Sequence, residues 1–362
     1  MRIEAPVSAM LRVDLDALAS NYRLLKKQAA PAECSAVVKA NAYGLGMVPV
    51  ARRLLREGCT KFFVATLAEA AELRALTPDA SIYVLEGAVP ASVDELVTLR
   101  ATPVLASLEQ IERWRGHGRA LLHIDTGMTR LGLSAAEVRV LAARLDLLNG
   151  IELEYVITHL ACADEPAHPQ NRAQLRLFDE LRALLPPIPT SIGNSAATFI
   201  DAAHRGDLVR PGLALYGGNP FAGRANPMTS VATYLAPVLQ IRDIEDAVSV
   251  GYGATYVARP PARLAVVGSG YADGYPRSLS NRGIAALHGL RVPVVGRVSM
   301  DLICIDISAL PPDSVRVGDF VELIGPTVGV DEVAEAAGTI SYEILTGLGM
   351  RLVRQYVQHQ KS

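Results

Sequence analysis

"AVVKANAYGLG" spans residues 36–46. An apolar, strand-like run stops at Lys39, and Asn41, Tyr43, Gly44 and Gly46 follow with the composition of a loop. A cation set where a buried strand ends pays a desolvation cost, so a use for it is sought. The arrangement recurs along the chain. Strand-like runs are read at "SAVVK" (35–39), "FFVAT" (62–66), "IYVLE" (82–86), "TPVLA" (102–106), "LLHID" (121–125), "YVITH" (155–159), "TSIGN" (190–194) and "DLVR" (207–210). They are apolar throughout rather than alternating, as strands buried on both faces are. Amphipathic stretches separate most of them. In "NRAQLRLFDELRALL" (171–185), Leu175, Phe178, Leu181 and Leu185 are spaced for one helical face. These repeated units predict an α/β fold with an N-terminal (β/α)8, TIM-like barrel over residues 9–228. A doubly wound open sheet is the rival; no GxGxxG follows the first strand, which counts against it.

Beyond about residue 225 the texture changes. Prolines and glycines become frequent, and the apolar runs shorten and alternate: "RLAVVGS", "RVPVVGRV", "LICIDIS", "DFVELIG". A mostly β C-terminal domain is expected over 229–362, joined by residues 1–8. Two short helical patterns, "VDEVAEAAG" and "SYEILTGLG", precede a last strand-like "RLVRQYV".

Composition narrows the function. Of 362 residues, 50% are apolar and 20% charged, with a formal net charge of -2. That is enough apolar material for a large core, and it leaves no basic stripe for nucleic acid. Charge or proline breaks every apolar run short of a membrane span, and the start lacks a secretory pattern. Cys34, Cys59, Cys162 and Cys304 stand singly, forming neither a CxxC pair nor a metal set. The expectation is a cytoplasmic protein with reduced thiols and no metal.

Barrel active sites sit at the carboxyl ends of the strands. Lys39, Asp125, His159, Asn194 with Ser195, and Arg210 end the first, fifth, sixth, seventh and eighth runs. A lysine in an apolar pocket loses hydration, so its pKa falls and its amine can attack a carbonyl. "GNSAA" (193–197) and "RPGLALYGG" (210–218) offer the Ser195 hydroxyl and the N–H groups of Gly212 and Leu213 to a phosphate. Pro211 holds Arg210 in extended geometry. Lysine plus phosphate cradle suggests imine chemistry on pyridoxal phosphate; a class I aldolase acting on a sugar phosphate fits these residue types nearly as well.

The longer wording goes further. "AVVKANAYGLG", "HIDTGMTRLG", "THLACADE", "GNSAA", "VRPGLALYG", "GYGATY", "GYADGYPR", "VGRVSMD" and "ISYE" occur in that order. Together, from about Arg12 to Tyr356, they closely resemble the alanine racemases, which are built from a barrel and a β domain. The second-domain motifs separate the chain from small pyridoxal-phosphate-binding proteins. The "KANAYG" loop also separates it from the basic amino-acid decarboxylases. The resemblance implies roles at the matching positions. Lys39 would carry the cofactor and act as one of two bases; Tyr252, supplied by the other subunit of a homodimer, would be the second. Tyr43, Ser195, Gly212, Leu213 and Tyr342 would hold the phosphate, and Arg210 would face the pyridine nitrogen with His159 behind it. Arg130 and the partner-supplied Met300 backbone would bind the substrate carboxylate, and Tyr271 would narrow the entrance. The reaction implied is interconversion of L- and D-alanine, for peptidoglycan or for alanine catabolism. A racemase of broader amino-acid range and a non-catalytic cofactor carrier are the alternatives.

One position departs from the pattern. The family usually has a lysine, often carbamylated, two residues before the aspartate of "DTGM"; here it is His123. A histidine supplies no negative charge, and a protonated one would repel Arg130. A small anion such as chloride, or a nearby carboxylate, is expected to orient Arg130 instead.

Overall fold

The computed structural model describes residues 8–358. The chain forms two compact units. One is Ala19–Leu215 with Asn219–Met228; the other takes in, of the described residues, 8–18, Tyr216–Gly218 and 229–358.

The first unit is the parallel barrel. One sheet runs in chain order through Ala36–Val37, Lys61–Val64, Ser81–Val84, Thr102–Leu105, Gly118–His123, Ile151–Ile157 and Thr190–Ser191. Leu208–Val209 pairs in parallel with Glu33–Cys34, which leads through Ser35 into the first strand. Arg210 N–H donates to Gly193 O at 2.7 Å on the other side, so the ring closes. Phe62, Phe63, Val64, Val104, Leu121, Leu122 and Val156 are fully buried, the result expected of runs that are apolar on both faces. Helices begin where the sequence caps them. Thr66 and Glu69 form a capping box for Leu67–Leu76, and Ser134 and Glu137 do so for Ala135–Ala143.

Every expected strand is present, but the ends differ. "SAVVK" stops at Val37, "LLHID" at His123, "YVITH" at Ile157 and "TSIGN" at Ser191. The polar residues expected at strand ends therefore lie just past the strands, on loops. The helix Pro169–Arg182 buries Asn171 and Gln174 in line with Phe178 and Leu181, while Leu175 is only half-buried. The reason is polar. Gln174 donates to Thr126 Oγ1 (3.2 Å) and His159 O (3.0 Å) and accepts from Ala161 N–H (2.9 Å), satisfying loop groups no apolar side chain can.

The second unit is an antiparallel sheet closed on itself. Ala232–Ile244, Phe320–Ile324, Ile284–Leu287, Leu290–Val295, Ile303–Asp306 and Ala262–Val267 pair in that order, and the last pairs back to the first. Met10–Asp14 joins this sheet, antiparallel to Ala232–Ile244 and parallel to Val353–Val357. Residues 10–14 thus pair within the β unit, and the expected share of residues 1–7 in it lies outside the described residues. The strand "MLRVD" buries Leu11 and Val13 on one face, while the other carries buried Met10, exposed Arg12 and half-buried Asp14. Helices Val330–Ala337 and Ser341–Thr346 match the two late helical patterns.

Candidate active site

Past the first strand the backbone turns left-handed. Ala40, Asn41, Ala42 and Tyr43 have φ of 52, 53, 52 and 54°. For residues with a Cβ this costs about 1–2 kcal/mol each. Such strain persists only where surrounding bonds over-determine it. Here they do: Ala42 N–H donates to Val38 O (2.8 Å), Gly44 N–H to Ala40 O (2.8 Å) and Met47 N–H to Asn41 Oδ1 (2.7 Å). Gly44 and Gly46, also at positive φ, close the turn. The turn mounts Lys39 at one end and buried Tyr43 at the other.

Tyr43 meets the loop after the eighth strand. A Cβ on Gly212 would collide with the Tyr43 hydroxyl and lie 2.9 Å from its Cζ, so only glycine fits there. The buried Ser195 Oγ accepts from Gly212 N–H (3.0 Å) and Ala214 N–H (3.2 Å). Leu213 N–H, between them, is bonded to no protein atom among the described residues. Two hydroxyls and the free N–H of Leu213, beside a residue with no side chain, form a cradle fitted to a phosphate.

Arg210 lies beneath, 6% exposed. Its guanidinium donates to Ser191 O (2.8 Å), Ser191 Oγ (2.6 Å), Thr158 O (2.7 Å) and His159 Nδ1 (3.3 Å). It stands over the Phe63 ring at 5.9 Å. Burial lowers its pKa to about 10, which leaves it charged at neutral pH. Burial, then Arg210, Arg130, His123 and Lys39, drives the His159 pKa well below the usual histidine value. Burial and Arg210 likewise lower His123 to about 4, with Arg130 adding to them and Asp125 opposing. Both imidazoles are therefore neutral at pH 7, and the repulsion of Arg130 feared from a protonated His123 does not arise. Lys39, half-buried, is lowered by burial and by Arg130, against the pull of Glu69.

Arg130 itself is exposed, and no carboxylate pairs with it among the described residues. Asp125, the nearest candidate in sequence, turns Oδ1 to the N–H groups of Gly127 (2.9 Å), Met128 (3.0 Å) and Thr129 (3.1 Å). Burial raises its pKa, but these bonds outweigh it and hold the carboxyl below its usual range. The carboxylate substitute for the missing modified lysine is thus not found.

Lys39, Tyr43, His159, Ser195, Arg210, Gly212 and Leu213 lie together in the barrel unit, with Arg130 acting on them through its charge. The remaining predicted residues are in the β unit. Tyr271 and Met300 are neighbours there: Tyr271 N–H donates to Ser299 O and Ala272 N–H to Met300 O, each at 3.0 Å. Tyr252 sits at the tip of the hairpin between Val248–Val250 and Tyr256–Ala258, 73% exposed. No hydrogen bond joins it to another predicted residue among those described. Tyr342 rides on Ser341–Thr346, 39% exposed. Gln174 and Glu69 were missed by sequence reasoning. The "TLAE" capping pattern marks Glu69 as a helix cap, but nothing in it shows that the same carboxylate reaches Ala40 N–H at 2.6 Å.

Comparison with known proteins agrees along the whole chain. Residues 13–220 match the family described as "Alanine racemase, N-terminal domain" and residues 231–356 "Alanine racemase, C-terminal domain". The chain is 47% identical to a catabolic alanine racemase of Agrobacterium fabrum, covering 97% of this chain and 92% of that one. It is 44% identical to the biosynthetic alanine racemase of the same organism, covering 96% and 93%. Among solved structures, the alanine racemase of Bartonella henselae with covalently bound pyridoxal phosphate superimposes with a TM-score of 0.92 at 39% identity. That match covers 97% of this chain and all of the other.

Proposed function

The chain belongs to the alanine racemase family, and on that premise we infer that it interconverts L- and D-alanine with pyridoxal phosphate attached at Lys39. The observation that carries this reading is the joining of Lys39, its pKa lowered by burial and by Arg130, to the Tyr43–Ser195–Gly212 cradle by one strained turn. Attached through its aldehyde, the cofactor supplies a conjugated ring that accepts the electron pair left at Cα when the proton departs.

The chain's own residues do the rest. Ser195, Gly212, Leu213 and Tyr43 hold the phosphate; the family resemblance gives Tyr342 the same role. Arg210 presents a permanent cation to the pyridine nitrogen, which keeps a proton off it. Arg130 and the Met300 N–H orient the substrate carboxylate, and Tyr271 narrows the entrance. Lys39 Nζ and Tyr252 Oη act on opposite faces of Cα: one takes the proton and the other delivers one. A tyrosine base starts near pKa 10 and needs neighbouring positive charge to work. Arg210 and Arg130 are the cations offered.

The active unit is a homodimer with sites shared between subunits. Support comes from exposure: Tyr252, Tyr271 and Met300 are 73, 43 and 52% exposed on a single chain. Exposed apolar side chains carrying predicted chemistry are what a partner surface would cover. No helix among the described residues is long and apolar enough to cross a membrane, and the cysteines are free; a cytoplasmic enzyme is the reading these favour. Both catabolic and biosynthetic relatives are similar to the chain, so either metabolic direction suits it.

The test is chemical. Borohydride reduction of the loaded protein should fix the cofactor's mass on the Lys39 peptide, and L-alanine should yield D-alanine. Mass on another lysine, or no D-alanine from loaded protein, overturns the assignment.

A further inference from the structure

We propose that Glu69 is a positioning residue for Lys39: one carboxylate oxygen holds the N–H of Ala40 and the other holds the start of Glu69's own helix, fixing the left-handed turn on which Lys39 and Tyr43 are mounted. This rests on Lys39 being the cofactor lysine.

The geometry is specific. Oε1 accepts from Ala40 N–H at 2.6 Å. Oε2 accepts from Ala65 N–H at 2.8 Å and Thr66 N–H at 3.3 Å. Both oxygens are therefore committed to backbone. The carboxylate ties the end of Lys61–Val64 to the residue after Lys39, across two strands already paired at Ala36–Phe62 and Val37–Phe63. Ala40 opens the left-handed turn. The other bonds described for the turn run between its own residues or to flanking backbone; Glu69 supplies the one that reaches Ala40 N–H from a separate element.

Charge adds a second consequence. Arg130 pushes the Lys39 proton off, and Glu69 pulls the other way. His159, the other titratable group coupled to Lys39, is neutral and sets no opposing charge. Attachment of pyridoxal phosphate requires the uncharged amine. Its nitrogen adds to the aldehyde carbon, a C=N bond replaces C=O, and the oxygen leaves as water with the two amine hydrogens. Glu69 thus trades some amine reactivity for a fixed amine position.

The experiment strips the enzyme of cofactor and reloads it with pyridoxal phosphate across pH, following visible absorbance. Glu69→Gln keeps the shape but loses the charge, and it has a single acceptor oxygen for two sets of N–H groups. Its pH of half-maximal attachment rate should move down by about half a unit, and cofactor affinity should fall about tenfold. Thr66→Ala breaks the same helix cap without touching Ala40; it should lower the melting temperature and leave both cofactor readouts in place. Unchanged readouts in Glu69→Gln, or the same changes in Thr66→Ala, would overturn the proposal. Should Glu69→Gln not fold, hydrogen exchange of the wild-type Ala40 amide decides. Protection supports the bond, and exchange at loop rates removes it. Lys39→Ala separates the two layers: a reducible adduct surviving in that variant would overturn the Lys39 reading and this proposal with it.

Discussion

Arg210 donates to His159 Nδ1 at 3.3 Å, and the histidine therefore faces the barrel as a neutral acceptor with its proton on Nε2. Arg210 has no carboxylate partner among the described residues; its other bonds go to the carbonyls of Ser191, Thr158 and Ile192 and to the Ser191 hydroxyl. A guanidinium fork can serve both sides of this site at once, and an ammonium cannot. Arg210→Lys should therefore leave buried acceptors unpaired and destabilise the protein by about 2 kcal/mol. Turnover should fall more than the folded fraction does. Melting curves and kcat measured on the same samples check this; unchanged values in both would contradict it.

Gly212 is predicted to tolerate no side chain. In Gly212→Ala the Cβ must displace Tyr43, and overpacking of this kind costs about 1–3 kcal/mol. Cofactor affinity, titrated by absorbance, should fall between about tenfold and about a hundredfold. Wild-type affinity would show that Tyr43 moves freely.

His123 carries a pH dependence whose sign is fixed. Its folded pKa, about 4, lies below the unfolded value near 6.5. Its stability contribution is complete above pH 6.5 and is lost as pH falls toward 4, at most about 3 kcal/mol. His123→Asn should flatten melting temperature against pH across that window. An unchanged acid slope would place the loss elsewhere.

Arg130 has no carboxylate partner among the described residues, so its counter-charge is expected from solution. At constant ionic strength, replacing chloride with a bulky organic anion should raise KM for alanine. His123→Lys, which restores a modifiable amine, should weaken that dependence. Equal KM in both salts would remove the anion reading.

Mixing inactive Lys39→Ala and Tyr252→Ala chains tests the shared site. Random exchange makes half the dimers mixed, each with one intact site, so about a quarter of wild-type activity should return. No recovery despite demonstrated exchange would place both bases on one chain.

Much of this was legible in the sequence. Apolar runs located every barrel strand because burial on both faces leaves a composition signal. Thr66–Glu69 and Ser134–Glu137 follow a capping pattern with a local cause. What the sequence hid was non-local. Met10–Asp14 takes its place from partners far along the chain, so a local pattern could not assign its sheet. The turn Ala40–Tyr43 contains no glycine, and local propensity there gives no warning of positive φ. Gln174 replaces Leu175 in the buried stripe because the loops after two other strands need donors and an acceptor. Clustering of the barrel residues followed from the strand-end rule; the exposure of Tyr252 on a single chain required the structure.

The central claim is that two bases act on opposite faces of the alanine Cα. Proton NMR of the loaded enzyme with L-alanine in heavy water, coupled to chiral analysis, tests it directly. The account predicts loss of the Cα proton signal together with appearance of deuterated D-alanine. Exchange with retention, giving only deuterated L-alanine, would mean a single base and would contradict the roles given to Lys39 and Tyr252.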